Sequence, residues 1–273
     1  MKQKIPQQET NPSNKKIVAL INKKWGDNTI GTVSSMKRLE IDRISTGVSV
    51  VDEILGGGFA LGRMVELYGV PSSGKTLISL LTIKQAQEKG LECVYVDAEN
   101  AFSPEFAQKL GVNIDKLNLT QVSIGEDVID IVFELLKSKP GIIVVDSIPA
   151  MIPRAEFEEQ SDQQFMANKA RLMSRSLPKL TVTLGKTLII WINQLRSTMA
   201  MYGPKNFTPG GRALGFFSSI RCEIKQGEKI FKDDKKTGEV IGNVIQVNCV
   251  KNKTAPPYRQ TSFNFYYENA RIE

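Results

Sequence analysis

The stretch Gly69-Val70-Pro71-Ser72-Ser73-Gly74-Lys75-Thr76 decides the fold of this chain of 273 residues. It fits the pattern Gly-x-x-x-x-Gly-Lys-Thr, in which two glycines let the backbone curl until its N–H groups point inward at an anion. Lys75 supplies a positive charge for the β- and γ-phosphates of a nucleotide, and the Thr76 hydroxyl is a ligand for Mg²⁺. The pattern predicts a phosphate loop with contacts from Gly69, Ser72, Ser73, Gly74, Lys75 and Thr76.

The segments on either side of this loop agree with the interpretation. Residues 64–68 predict a strand, and residues 76–88 predict an amphipathic helix that Gly90 stops. A helix that begins near Thr76 directs its positive end at the bound anion. A glycine-rich turn that matched by chance would not be expected between a strand and a helix, so the context favours a nucleotide site.

Two further apolar runs lead to carboxylates that suit such a site. Residues 142–147 form a run with Asp146 near its end, which is typical of a strand buried on both faces of a parallel sheet. We expect Asp146 to lie beside Mg²⁺, together with Thr76, and to bind the ion mostly through water. Residues 93–97 predict another strand, and ligands gather where such strands end. Glu99 follows and is a candidate for polarising the attacking water, although an acid there also suits a helix cap or a solvated position.

A third apolar run, residues 187–192, ends at Asn193-Gln194. A neutral amide at the ligand edge can hydrogen-bond the terminal phosphate or the water, which makes Gln194 a candidate nucleotide sensor. Residues 195–212 have no regular pattern, and a long loop inside a compact domain is usually functional or disordered. Basic, aromatic and glycine residues in it favour contact with single-stranded nucleic acid. They are Arg196, Tyr202, Gly203, Lys205, Phe207, Gly210, Gly211 and Arg212.

The distribution of charge also favours a polyanionic partner. The net charge is +7, and residues 163–222 contain nine Lys/Arg but no Asp/Glu. Residues 165–177 predict a helix with Arg171 and Arg175 on one face, and Pro178 is expected to interrupt or end it, or to open the next segment. Residues 154–164 predict a loop. Charge alone leaves open the alternative of an ordinary solvated face.

Composition excludes several classes of protein. The chain has no histidine, which excludes Ser-His-Asp and Cys-His chemistry. The three cysteines lack the spacing of a zinc site and predict buried free thiols in a reducing cytoplasm. No apolar run approaches about 18 residues and no signal peptide is evident, so we expect no membrane span.

The two ends of the chain differ from its middle. Residues 1–14 are polar and predict disorder. From Lys15 we expect a helix without a core of its own, which must pack on its own domain or on a neighbouring subunit. Its apolar face consists of Ile17, Leu20, Ile21 and Trp25. The chain is therefore divided into residues 1–43, with tail, oligomerisation helix and linker, and a core at residues 44–273. Antiparallel strands are predicted at residues 219–225, 244–250 and 261–267, with a charged hairpin at 227–242.

From about residue 15 to 270, ordered motifs resemble those of bacterial-type RecA recombinases. They are Ile44-Ser45-Thr46-Gly47, Ser72-Ser73-Gly74-Lys75-Thr76, Asp97-Ala98-Glu99, Lys109-Leu110-Gly111-Val112, Val144-Val145-Asp146-Ser147, Ile192-Asn193-Gln194-Leu195-Arg196, Gly210-Gly211, Val250-Lys251-Asn252-Lys253 and Ala255-Pro256-Pro257. The resemblance implies an α/β fold: a RecA-like P-loop ATPase core with a mainly parallel sheet flanked by helices, antiparallel C-terminal strands and a small N-terminal helix. It also implies a DNA-dependent ATPase that uses ATP and Mg²⁺, forms helical filaments on single-stranded DNA, and promotes pairing and strand exchange with homologous duplex DNA.

The same resemblance implies roles for individual residues. Glu99 is the catalytic carboxylate, acting with Lys75 and with the sensor Gln194, which begins the second DNA-binding loop. Residues 157–166 correspond to the first such loop. The remaining implied contacts are adenine stacking by Phe106, DNA contact by Met166 and Arg171, contact with ATP of an adjacent subunit by Lys251 and Lys253, and filament contact by Phe216.

The chain also departs from the pattern of that family. Val70-Pro71 replaces the usual Pro-Glu, Ser103 replaces an acid near the adenine site, and Pro178 stands where a basic residue is common. The chain stops at Glu273 without the family's C-terminal domain, and we expect a compact variant, as in phage or mobile elements, or a truncated chain. Two alternatives stay open: a RecA-superfamily ring helicase or motor, and a recombination mediator with a vestigial ATPase.

Overall fold

The computed structural model describes residues 12–27, 29–35, 41–158, 165–197, 206–232 and 238–273. The chain divides into two compact units, Met1–Ile41 and Asp42–Glu273. The smaller unit contains a helix from Pro12 to Trp25, so residues 12–14 are helical where the sequence predicted disorder. The predicted apolar face of this helix is largely exposed at Ile17 and Leu20.

Eight α-helices occur in the described residues. They are α1 Pro12–Trp25, α2 Ser49–Leu55, α3 Lys75–Glu88, α4 Pro104–Lys109, α5 Gly125–Ser138, α6 Arg154–Glu158, α7 Phe165–Thr183 and α8 Arg212–Phe217. Short 3-10 turns occur at Val33–Ser35, Ile114–Lys116 and Ile148–Ala150.

Thirteen strands occur in the same described part of the chain. They are β1 Arg43–Ile44, β2 Phe59–Ala60, β3 Met64–Gly69, β4 Cys93–Asp97, β5 Leu117–Gln121, β6 Ile142–Asp146, β7 Leu188–Gln194, β8 Arg196–Ser197, β9 Asn206–Phe207, β10 Ile220–Phe231, β11 Val240–Asn252, β12 Arg259–Tyr266 and β13 Arg271–Ile272.

Nine of these strands form one sheet in the order β13-β12-β11-β10-β3-β7-β6-β4-β5. The strands from β10 to β5 in this order run parallel to one another. The four strands from β10 to β13 pair antiparallel. The mainly parallel sheet with antiparallel C-terminal strands is therefore confirmed.

Each face of the sheet is covered by its own set of helices, because successive residues of a strand point to opposite faces. Val65, Val144 and Ile190 share one core with residues of α2 and α3. Met64 and Trp191 point the other way and share a second core with residues of α5, α7 and α8. The parallel strands are buried on both faces, which explains their continuous apolar sequences.

Three helices differ from expectation. Nine of the 14 residues of α3 are buried, so the helix is enclosed rather than amphipathic. The proline at position 178 lies inside α7, which continues to Thr183. Proline removes a backbone donor, but Met173, Leu177 and Leu180 are fully buried around it, and this packing outweighs the lost hydrogen bond. Part of the predicted loop at 154–164 is the helix α6, whose first N–H, on Arg154, donates to Glu126.

Two loop predictions were also wrong in part. Within residues 195–212, the short strands β8 and β9 pair antiparallel, and Arg212 begins α8. The charged hairpin predicted at 227–242 is shorter, because β10 and β11 extend into it. The edge strand β5 was missed, since its residues are mostly polar or half-exposed.

The composition also predicted buried free thiols, and this prediction is confirmed. The three cysteines are free and buried. No helix in the described ranges combines the length and the apolar character needed to cross a membrane.

Candidate active site and nucleic-acid interface

Four parallel strands end together and bring the predicted groups to one edge of the sheet. In the strand register, Gly69 lies opposite Gln194, and Asp97 lies opposite Asp146. These two residue pairs lie side by side at the edge of the sheet, because β6 pairs with β7. The N–H of Leu195 also donates to the Gly69 carbonyl at 3.0 Å, so the strand that carries Gln194 is bound to the first residue of the phosphate loop.

The phosphate loop forms a cradle of backbone donors. Among the described residues, the N–H groups of Ser72 and Gly74 have no backbone acceptor. Gly74 has a φ of 103°, and a Cβ there would lie 2.8 Å from Ile245 Cδ1, so a side chain at this position would collide with the wall of the cradle. Unpaired inward N–H groups at a helix start suit a phosphate.

Lys75 lies within this cradle. Its Nζ donates to the Gly69 and Val70 carbonyls at 3.2 and 2.7 Å and to Ser73 Oγ at 3.3 Å. Burial lowers the pKa of Lys75 below its ordinary value of 10.5, and the Asp146 and Glu99 carboxylates oppose that shift. A phosphate near this ammonium would restore its preference for the charged form.

Asp146 and Thr76 meet where the sequence predicted. Thr76 Oγ1 donates to Asp146 Oδ2 at 2.9 Å. The buried Tyr95 hydroxyl donates to the same oxygen at 2.6 Å. Burial raises the pKa of Asp146, and these two hydrogen bonds oppose the rise. The pair thus offers one carboxylate and one hydroxyl, both oxygen ligands.

These residues fit Mg²⁺. The ion prefers oxygen ligands and is usually held by one or two protein groups together with water and substrate phosphates. In the described ranges no three His, Cys, Asp or Glu residues cluster into a complete metal cage. Thr76 and Asp146 beside a phosphate cradle match the sparse protein contribution that this ion requires.

Glu99 lies next to the predicted sensor. Its Oε1 accepts hydrogen bonds from Ser147 Oγ and, at 3.4 Å, from Gln194 Nε2. Its backbone is fixed as well, because the N–H groups of Ala98 and Glu99 both point to the Asp146 carbonyl. The arrangement joins the candidate base, the candidate sensor and the Mg²⁺-side strand.

Asp97 shapes the turn that carries Glu99. This buried carboxylate accepts from the N–H groups of Ala101 and Phe102 at 3.2 and 3.0 Å and from Gln121 Nε2 at 3.1 Å. The first two hydrogen bonds close the turn after β4, and the third connects Asp97 to the end of β5. Glu99, inside that turn, is thereby kept at the edge of the sheet.

Two adjoining pockets border these residues. A pocket of about 290 Å³ is lined by the loop from Ser72 to Leu77, with Phe106 and Tyr267 on its wall. A smaller one of about 110 Å³ contains Thr76, Glu99 and Asp146. Phe106 lines both, so it lies where stacking on a base is feasible. Ser103 caps α4 by accepting from the Phe106 N–H, which gives this departure from the family pattern a local role.

Lys251 and Lys253 lie far from their own chain's phosphate loop. In the strand register Lys251 lies opposite Arg221, which lies opposite Glu66, so Lys251 is two strands and three positions away from Gly69, or roughly 14 Å. Lys251 Nζ instead donates to the Gly215 and Phe216 carbonyls at 2.7 and 2.9 Å, at the end of α8. Lys253 Nζ lies 6.0 Å from the centre of the exposed Phe216 ring.

The predicted DNA-contacting residues fall into three groups. Arg171 and Arg175 are exposed on α7. Four others border one pocket of about 650 Å³. These four are Arg196, Gly210, Gly211 and Arg212. The last group, Tyr202, Lys205 and the side chain of Met166, lies outside the described residues, as do residues 159–164 of the first predicted loop.

The same pocket contains two basic residues for which no individual role was predicted. Lys169 and Arg221 line it, with Glu156 as an acidic neighbour. Lys169 Nζ donates to the Pro149 carbonyl, and burial lowers the pKa of this lysine. The acid-free charge of residues 163–222 was the only signal for them.

Three further residues at the site were missed. Tyr95 donates to Asp146 and Ser147 donates to Glu99, the two candidate carboxylates, and Glu66 is buried in the strand before the phosphate loop. Tyr95 lies in an apolar strand sequence, where an aromatic residue is ordinary core. No sequence pattern reveals that its hydroxyl reaches Asp146.

Known proteins share this chain's sequence and fold. Residues 13–271 match the family model of the RecA N-terminal domain. Protein RecA of Clostridium acetobutylicum is 42% identical over 252 residues, which cover 90% of this chain and 71% of the relative. Protein RecA of Gloeobacter violaceus is 38% identical over 257 residues, with 93% and 69% covered. A crystal structure of the RadB recombinase has a TM-score of 0.61 at 24% identity, covering 84% of this chain and 98% of that one, and it supports the fold alone.

The family match thus includes the phosphate loop, the strand that ends at Asp146, the Glu99–Gln194 pair and the segment that follows it. It is not confined to one motif or to one edge of the sheet. This chain belongs to the RecA family.

Proposed function

We propose that the chain is a DNA-dependent ATPase that assembles as a helical filament on single-stranded DNA and promotes homologous pairing and strand exchange with duplex DNA. The observation that carries the proposal is the continuity between Gln194, which contacts Glu99, and the basic segment of residues 195–212. Gln194, beside the terminal phosphate of the nucleotide, is then directly followed by the segment that we propose contacts DNA.

ATP is the proposed substrate. The N–H groups of the phosphate loop and Lys75 hold its phosphates, and Phe106 stacks on its base. Thr76 and Asp146 hold Mg²⁺. The ion, when bound, neutralises charge on the phosphates. The chain's own contribution is a charged lysine, a row of backbone donors and a fixed position for the substrate.

Hydrolysis needs a base and an oriented water. The water oxygen attacks the γ-phosphorus while Glu99 accepts a proton from that water. The bond between the γ-phosphorus and the bridging β-phosphate oxygen breaks, and ADP and phosphate are released. Gln194 donates a hydrogen bond to Glu99 at 3.4 Å. A neutral amide can shift between this carboxylate and the terminal phosphate, which gives it the role of a sensor.

DNA is the proposed activator. Arg196, Arg212 and Lys169 surround one pocket, and Arg171 and Arg175 add exposed charge on α7. Backbone phosphates would neutralise this charge, and the aromatic Phe207 offers a surface for base stacking. The free buried cysteines suit a reducing compartment, and we place the protein in the cytoplasm.

Assembly follows from the placement of the two lysines relative to their own loop. Lys251 Nζ donates to the Gly215 and Phe216 carbonyls, and Lys253 lies beside the Phe216 ring, so neither side chain is directed at the phosphate loop of the same chain. We infer that they serve the ATP of an adjacent subunit. A head-to-tail contact of this kind builds rings or helical filaments.

The first test is ATP hydrolysis with and without single-stranded DNA. Wild-type protein should be stimulated, and Lys75→Ala should abolish turnover. Glu99→Gln should lower kcat by about 100-fold or more while leaving binding of a fluorescent ATP analogue intact, because only the base is lost. Electron microscopy of the DNA complex should show helical filaments.

Two outcomes would contradict this proposal. Full activity in Glu99→Gln would remove the catalytic assignment. DNA binding without any stimulation of hydrolysis would favour a recombination mediator, and closed rings in place of filaments would favour a ring motor.

A further inference from the structure

A fully buried carboxylate lies in the strand that leads to the phosphate loop. Glu66 has no exposed surface, and the other residues of β3 are buried too. Burying an unpaired charge costs several kcal/mol, so such a group requires partners. Its two oxygens accept hydrogen bonds from Asn193 Nδ2, at 3.0 Å, and from Arg221 Nε.

The three side chains share one face of the sheet. Glu66 lies opposite Arg221 in β10 and opposite Trp191 in β7. Asn193 follows Trp191 by two positions and so points to the same side. This is the face covered by α7 and α8, and the nearest atoms to a Cβ placed on Gly215 of α8 belong to the Arg221 guanidinium.

Asn193 connects this carboxylate to both ends of the predicted DNA loop. Its Nδ2 donates to Glu66 and, at 3.1 Å, to the Pro209 carbonyl. Its Oδ1 accepts from the N–H of Gln194 at 2.9 Å. One buried amide thus contacts the sensor residue where the loop begins and a main-chain carbonyl where the loop ends.

The end of the loop that Asn193 contacts is also held from its other side. Gly210 is buried, and a Cβ there would lie 3.1 Å from Ile148. A Cβ on Gly211 would lie 2.9 Å from the Cβ of Ala170 in α7. One side of Gly210 and Gly211 therefore lies close to Ile148 and to α7, while the same residues border the basic pocket, and the Pro209 carbonyl connects this segment to Asn193.

We propose that Asn193 is a positioning residue that couples DNA contact at the loop to the placement of Gln194. Its hydrogen bond to Glu66 connects both ends of the loop to β3, the strand that leads into the phosphate loop at Gly69. When DNA binds in the pocket beside Pro209, the Pro209 carbonyl is displaced. Asn193 hydrogen-bonds both this carbonyl and the Gln194 N–H, so the displacement changes the position of the Gln194 main chain. The proposal rests on the proposed function, since it assigns a route for stimulation by DNA.

The test compares Asn193→Ala with wild-type protein in steady-state ATP hydrolysis, with and without a single-stranded oligonucleotide. The ratio of kcat with DNA to kcat without DNA should fall by about 5- to 10-fold, the size of a typical coupling between sites. The KM for ATP and the dissociation constant of a fluorescent ATP analogue should both stay within about threefold of wild type, because Asn193 contacts neither phosphate nor base.

A control variant separates coupling from simple loss of stability. Thr187 precedes the other end of β7, and its buried hydroxyl donates to the Pro140 carbonyl at 2.7 Å. Thr187→Val removes a buried hydrogen bond next to the same strand but far from the loop. It should lower the melting temperature about as much as Asn193→Ala and leave the DNA stimulation ratio unchanged.

A second variant keeps the proposal testable if Asn193→Ala does not fold. Asn193→Leu fills the same space without the amide, while Glu66 keeps its ion pair with Arg221. This variant should be folded and bind the ATP analogue, yet show the same reduced stimulation ratio. Recovery of the wild-type ratio in this variant would overturn the proposal.

The two levels of inference fail in different ways. If wild-type protein is stimulated by DNA and Asn193→Ala keeps the full ratio, the coupling role of Asn193 is wrong and the ATPase assignment stands. If wild-type protein is not stimulated at all, the proposed function is wrong and the coupling role is wrong with it.

Discussion

Removing one oxygen atom from Tyr95 tests how the chain prepares Asp146 for a metal ion. The hydroxyl of Tyr95 donates to Asp146 Oδ2 at 2.6 Å, and Thr76 donates to the same oxygen at 2.9 Å. Burial raises the pKa of Asp146, and both hydrogen bonds favour the ionised carboxylate. In Tyr95→Phe the ring stays in place while one of the two donors is lost.

The expected magnitude follows from the charge of the acceptor. A hydrogen bond to a charged group contributes about 1.5–3 kcal/mol, more than a neutral one. About 1.4 kcal/mol corresponds to a tenfold change in an equilibrium constant. Groups that orient a metal-binding carboxylate typically change metal affinity by about 10- to 100-fold. Tyr95→Phe should therefore raise the Mg²⁺ concentration needed for half-maximal nucleotide binding by about tenfold.

The assay is a Mg²⁺ titration of fluorescent ATP binding, which requires no turnover. Ser79→Ala is the matched control, since the Ser79 hydroxyl is also buried in this region but donates to the Lys75 carbonyl instead of to Asp146. Its Mg²⁺ midpoint should equal that of wild-type protein. A midpoint for Tyr95→Phe within about twofold of wild type would refute the reasoning, because a bond of this kind would then contribute too little to matter.

Three other predictions concern separate parts of the fold. Burial lowers the pKa of Lys75, and phosphates favour its charged form, so nucleotide binding should take up protons at alkaline pH below 10.5. The affinity for the nucleotide should fall as the pH rises above the lowered pKa of the free protein. Calorimetry in buffers of different ionisation enthalpy would show the proton uptake, and identical binding enthalpies in all buffers would contradict it. Gly211→Ala should reduce the free energy of unfolding in urea by about 1–3 kcal/mol more than Gly90→Ala. Gly211 combines a φ of 74° with a ψ of −164°, a conformation nearly confined to glycine, and a Cβ there meets Ala170, whereas a Cβ on Gly90 meets no neighbour within 4 Å. Equal losses would contradict this reasoning. Lys75→Ala and Lys251→Ala should each be inactive alone, yet a 1:1 mixture should regain about a quarter of the wild-type sites if one subunit completes the site of the next; an inactive mixture that still forms filaments would refute the shared site.

The convergence of the candidate residues could be predicted from the sequence because it depends on where strands end. An apolar run buried on both faces ends where polar residues begin, and in a parallel sheet those ends meet at one edge. Asp146, Glu99 and Gln194 each follow such a run, so their convergence did not depend on knowing the loops. Their individual roles stay predictions.

Other features depended on contacts between distant segments. Pro178 is a local signal to stop a helix, but the surrounding leucines of α7 are fixed by the sheet beneath them. Glu66 is an acid inside an apolar strand, and its partners come from β7 and β10, more than a hundred residues later. Single-sequence patterns describe neighbours along the chain, so they contain neither the packing that stabilises α7 nor the pairing that compensates Glu66.

The distance between Lys251 and the phosphate loop has a consequence for how activity depends on polymer length. If each nucleotide is completed by a lysine from the next molecule, the last subunit of every polymer carries an incomplete site. A dimer then has about half the activity per subunit of a long filament, since an open head-to-tail chain has one interface fewer than it has members. Specific activity should thus rise with protein concentration even when DNA is saturating, and severing a filament should silence one site at each cut.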